Sequence, residues 1–190
     1  MHGICSQAFQ TEGESVGNRI TATDKKGMGI CFLSAPVGKT EVQEKLESWR
    51  RDIQEYEFAL MKDHGRSFDG MEETLVSLKQ AGYGLAICSN AFVNHIEYVL
   101  SAIGLIQYFD IIGSLDMGTD KIEVIRKLSL RTGWDKACMV GDRKFDIQAA
   151  RANGIPFIGC AYGYAPQEIR EADLVVKEPA EILPAVETLI

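Results

Sequence analysis

Two aspartates four residues apart, in the stretch MVGDRKFDI at 139–147, have the types and the spacing to do chemistry. Asp142 follows an apolar run that closes in Gly141, and Asp146 lies about one helical turn further on. With Asp142 at a strand end and Asp146 in the first turn of a helix, both carboxylates can face one point. Oxygen donors with no His or Cys beside them suit a hard cation such as Mg²⁺, which keeps waters and takes few carboxylates plus substrate phosphate. The same pair equally suits a plain helix start, with Asp142 as the cap and Asp146 as a first-turn acid.

Two further positions stand after apolar runs. Ser89 and Asn90 follow GLAIC (84–88) and offer a hydroxyl, an amide and backbone N–H groups to a phosphate oxygen; they also suit a simple helix cap. Lys121 follows the loop after YFDIIGS (108–114) and brings a compact positive charge able to neutralise a phosphoryl group, or stands as an ordinary surface lysine. In an open α/β sheet, ligands bind beyond the carboxyl ends of the strands, and all of these residues come after such runs.

The elements that must position them can be read from the apolar pattern. Short continuous runs at 84–88, 108–114, 137–141, 156–160 and 173–176 alternate with helical periodicity, such as Ile96, Val99, Leu100 and Ile103, or Ile122, Ile125 and Leu128. Strands apolar on both faces, separated by helices, predict a doubly wound parallel, Rossmann-like α/β sheet. The first 67 residues read differently. Val42, Leu46, Trp49, Ile53, Tyr56 and Leu60 alternate in steps of four and three, which predicts one long amphipathic helix over 41–63, packed on another helix. GMGICFLSAP (27–36) is ambiguous between a strand and a buried helical piece. The expected division is a small, partial helical cap at 1–67 and the α/β core at 68–190.

Composition narrows the partners. Of 190 residues, 46% are hydrophobic and 25% charged, as in an ordinary soluble protein, and the net charge of −7 argues against nucleic acid, which needs a basic face. No apolar run approaches the roughly 18 residues of a membrane span, and the N-terminus lacks the pattern of a secretory signal. Five cysteines, an odd number without CxxC, predict buried free thiols in a reducing cytoplasm. APVGKT (35–40) is no P-loop, because the glycine required five residues before Gly38 is Leu33. His2, His64 and His95 show no metal spacing, and Cys88, last in its run, is expected to point into the core rather than serve as a nucleophile.

Taken in order, ICSN, TDK and MVGDRKFDIQAARANGIPFIGCAYGY resemble the second, third and fourth motifs of the haloacid dehalogenase superfamily, in its phosphoglycolate-phosphatase-like subgroup with a helical cap. FDG before the helix at 71–81 and EADLVVKEPAEIL near the end fit as well. The resemblance implies an Mg²⁺-dependent hydrolase of a small phosphorylated metabolite. It assigns Ser89 to the phosphoryl group, Lys121 to charge stabilisation on nucleophile and phosphate, and Asp142, with Asp146 less firmly, to the metal.

The departure from the family pattern matters as much. The family's first motif, Asp-x-Asp-x-Thr, ends the first strand and supplies a nucleophile and a general acid–base; no aspartate here has another two positions later. The first strand is therefore expected to be missing, with the chain beginning after it, and a sheet lacking it is open to self-association as a homo-oligomer. Without the nucleophile, covalent phosphoryl transfer is expected to be absent or impaired, and an acid–base contribution of about 10²–10⁴-fold goes too. A non-catalytic descendant that binds phosphate or another protein is the alternative. A receiver-like signalling domain fits less well, since it also needs an early acidic cluster.

Overall fold

The computed structural model describes residues 2–6, 10–11 and 39–190. Among them six strands form one sheet in the order β5-β4-β1-β6-β7-β8. These strands are β1 (His2–Ser6), β4 (Gly84–Cys88), β5 (Ile111–Gly113), β6 (Lys136–Gly141), β7 (Phe157–Cys160) and β8 (Leu174–Val176). Every pairing is parallel. A two-stranded pairing joins β2 (Gln10–Thr11) with β3 (Gly65–Arg66). The helices are α1 (Lys39–His64), α2 (Met71–Gln80), α3 (Val93–Ala102), α4 (Lys121–Thr132), α5 (Lys144–Ala152) and α6 (Ile182–Leu189).

The parallel sheet follows from the runs themselves. All four residues of β7 are buried, as are five of the six in β6, so neither face can meet water. Alternate residues feed two cores. Leu85, Ile87, Cys138, Val140 and Ile158 pack with Met71, Leu75 and Leu78 of α2 and with Val186 of α6. Ala86, Cys88, Met139 and Phe157 pack with Val124, Ile125 and Leu128 of α4 and Ile147 of α5. Cys88, Cys138 and Cys160 are buried free thiols, and burial pushes Cys138 up to about 12. Cys31 and the segment at 27–36 lie outside the described residues.

The expectation that the first strand is missing is corrected. β1 stands in the middle of the sheet, with Gly3 beside Gly84 on one side and Ala137 on the other. The residues HGICS carry too little apolar content to announce a strand; long-range pairing on both edges defines it. The chain divides into two compact units, Met1–Gln10 with Arg66–Ile190, and Thr11–Gly65, so β1 belongs to the unit that holds the sheet. In the smaller unit, α1 runs three residues longer than the pattern predicts, and most of its apolar stripe is exposed rather than packed on a helix.

Candidate functional site

Three of the expected residues are joined by direct bonds where β6 gives way to α5. Lys121, the first residue of α4, donates from Nζ to Asp146 Oδ1 at 2.5 Å. The lysine is 4% exposed and the aspartate 1%, so this is a buried ion pair. Asp146 Oδ2 accepts the backbone N–H groups of Asp142 at 3.2 Å and Arg143 at 3.1 Å. Gly141 makes room for this: a Cβ there would run into the Asp146 carboxylate.

The geometry therefore departs from the expected convergence of two carboxylates on one cation. The i, i+4 spacing is present, but Asp142 precedes the helix and Asp146 folds back to satisfy amides at its start. Both Asp146 oxygens are engaged, one by an ammonium. Asp142 is only partly buried, and its Oδ2 accepts the Tyr164 N–H at 2.6 Å. Gly163 is required beside it, since a Cβ at that position would overlap the Asp142 Cβ.

Asp142 lines a cleft of ≈ 200 Å³ with Phe68, Arg143, Cys160, Tyr162 and Tyr164. That is smaller than a drug-sized pocket and suits a compact ionic group. Its walls are braced. Arg143 donates from Nε to Glu168 Oε2 at 3.1 Å and lies 5.3 Å from the centroid of the Tyr164 ring. Phe68 meets Tyr162 edge to face, with centroids 4.8 Å apart. Burial holds the Cys160 thiol up at about 12 and raises the Tyr162 phenol, helped by the neighbouring thiol. Both stay protonated near neutrality, so neither serves as a ready nucleophile. Sequence reasoning missed Phe68, Arg143 and Glu168; the AYGYAP turn after 156–160 was the visible signal for the tyrosines.

Ser89 and Asn90 follow β4, two strands along from β6. They do not cap a helix. α3 begins at Val93, whose N–H is taken by Asp116 Oδ2 at 2.7 Å, and Phe92 is the capping position. Ser89 N donates to Gly113 O at 3.0 Å, tying the β4 exit to β5; Asn90 is exposed. Among the described residues no three His, Cys, Asp or Glu side chains converge as a metal group. Nor is any described helix long and apolar enough to cross a membrane.

Comparison with known proteins adds the kinship. A model of the haloacid dehalogenase-like hydrolase family matches residues 31–160. A phosphoglycolate phosphatase of Pectobacterium atrosepticum is 32% identical over 200 aligned positions, covering 96% of this chain and 81% of the relative. One of Mesorhizobium japonicum is 32% identical over 111 residues, 56% of this chain, and the match spans about half (49%) of that relative's length. A haloacid dehalogenase-like family hydrolase from Streptococcus pneumoniae shares the fold at a TM-score of 0.69, with 19% identity over 97% of this chain and 96% of that one.

Proposed function

The chain belongs to the haloacid dehalogenase-like hydrolase family, and we propose from that membership a phosphatase-type domain that binds the phosphoryl group of a small phosphomonoester, phosphoglycolate-like in class. The observation that carries this reading is the buried Lys121–Asp146 pair set directly behind Asp142 at the carboxyl end of β6. In it, Lys121 supplies positive charge, and Asp146 holds that lysine in place while fixing the amides that orient Asp142. Ser89 offers its hydroxyl, and Asn90 its amide, to phosphoryl oxygens arriving beyond β4. The buried thiols are consistent with a reducing, cytoplasmic setting.

Mg²⁺ is the cofactor of this reading, and the described donors fit it only in part. Asp142 suits one ligand position of a hard cation; Asp146, with both oxygens engaged, does not. When bound, the cation would neutralise charge on the phosphoryl oxygens. The nucleophile is the larger deficit. β1 stands where the family's first strand belongs, yet Gln7, Ala8 and Phe9 after it hold no carboxylate. Catalysis is therefore expected to be absent or impaired. The protonated Cys160 and Tyr162 offer no substitute, which favours the second reading, a phosphate-binding module without turnover.

Hydrolysis of an aryl phosphate ester by the full chain, with and without Mg²⁺ and beside Asp142→Asn, tests the proposal. The expected outcome is no turnover above the variant. Calorimetric titration with inorganic phosphate should still show binding, weakened about 2- to 10-fold by Ser89→Ala, as loss of one hydrogen bond implies. Mg²⁺-dependent turnover abolished by Asp142→Asn would overturn the expected inactivity. Absence of any phosphate binding would overturn the phosphate reading itself.

A further inference from the structure

Four residues, Ser89 to Phe92, lead from β4 into α3. The amides that open a helix have no partners within it, and a side chain with an oxygen acceptor commonly takes one of them. Phe92 stands at the capping position of α3 and offers no such acceptor. The acceptor comes from 23 positions further along the chain: Asp116 Oδ2 takes the Val93 N–H at 2.7 Å. The same oxygen accepts the Ser114 hydroxyl at 2.9 Å. Ser114 is 2% exposed, so the carboxylate is anchored on a buried donor.

Two backbone bonds complete the clasp. Ser89 donates its N–H to Gly113 O at 3.0 Å, and Ala91 O accepts the Leu115 N–H at 3.0 Å. The loop after β4 is thus laced to the loop after β5, which runs on to Lys121, and Asp116 ties its helix end. We propose that Asp116 is a positioning residue, holding the Ser89–Phe92 loop in the geometry with which Ser89 and Asn90 meet a phosphoryl group. The role rests on the phosphate reading of those two residues. Asp116 itself stays on the Val93 amide and acts on the ligand only through the loop.

Charge makes this role distinguishable. The Val93 amide, above all, holds the Asp116 carboxyl below its usual 3.8, so the group is ionised near neutrality. A negative charge beside a phosphate site repels the ligand, so deleting a bystander carboxylate strengthens binding. Deleting one that positions the loop weakens it. Asparagine removes the charge and keeps an acceptor oxygen, which separates the two effects.

Hydrogen exchange and calorimetric titration with inorganic phosphate, both on the full chain, test the proposal. Asp116→Ala should speed exchange at the Ser89 and Leu115 amides, which it does not touch, and leave Ile87 in β4 unchanged. It should weaken phosphate binding about 3- to 10-fold, the scale of one hydrogen bond. Asp116→Asn should stay close to the parent in both. With Ser89→Ala and Asn90→Ala already in place, Asp116→Ala should change affinity less than about 2-fold, because coupled positions are not additive. A parent that binds no phosphate overturns the phosphate reading and this role with it. A parent that binds phosphate, with Asp116→Ala equal or tighter, or additive with the Ser89 and Asn90 changes, overturns the role alone. Unchanged exchange at Ser89 and Leu115 does the same, whatever the titration shows.

Discussion

Asp146 carries three hydrogen bonds while almost wholly out of water, one from the Lys121 ammonium and two from the amides that open α5. Removing its charge would leave the lysine buried without a counterion, which costs about 3–5 kcal/mol. Asp146→Asn is therefore expected to lower the urea midpoint by that equivalent; a change under about 1 kcal/mol, the range of surface pairs, would show that Lys121 swings out to solvent. At this scale the sequence singled out three residues that the structure joins, but not how they meet. Asp142, Asp146 and Lys121 were legible from their place after apolar runs. That Lys121 reaches Asp146 was not, because a contact across 25 positions leaves no periodic trace.

At the scale of elements, the strands buried on both faces were legible because continuous apolar runs have few other uses. The run at 108–114 shortens to Ile111–Gly113, since Ile106–Tyr108 forms a helical turn. β7 shows how tightly these strands are held. Phe157 has no exposed surface, and Phe157→Ala should cost about 3–5 kcal/mol, read by chemical denaturation. The amino end of β7 is fastened by a carboxylate: Asp173 Oδ2 accepts the Phe157 N–H at 2.7 Å and an Arg151 hydrogen bond at 2.7 Å. The Arg151 guanidinium is the main reason that the Asp173 carboxyl stays below its usual 3.8. A depressed carboxyl favours the fold above its unfolded value and loses that contribution as pH falls. Asp173→Asn should thus flatten the decline in stability below about pH 4. An acid limb identical to the parent's would disprove a role for this group. α1 is the opposite case: its helix was legible from spacing alone, but spacing could not say what covers the stripe.

For the whole molecule, the pattern of runs and helices sufficed to predict a doubly wound α/β protein, and the family match agrees with that architecture. What the pattern could not supply was the middle of the sheet. Strand order depends on contacts between distant parts of a chain, and a five-residue segment with a glycine and a serine is silent about them. The strand is present, while the carboxylates expected at its end are not. The sheet that frames the family's site can thus be recognised without the Asp-x-Asp pair in the sequence.

The position of β1 bears on the order of events in time. A segment made before both of its neighbours must lie between β4, from the middle of the chain, and β6, from its last third. During synthesis neither neighbour exists when His2–Ser6 leaves the ribosome, so the segment waits unpaired. Closing two long loops around it is the slow, entropy-limited step of a topology with distant pairings. Until it docks, β4 and β6 each present a bare edge to the other chains around them, so the interval between making the first strand and placing it is when this protein is most exposed to mispairing.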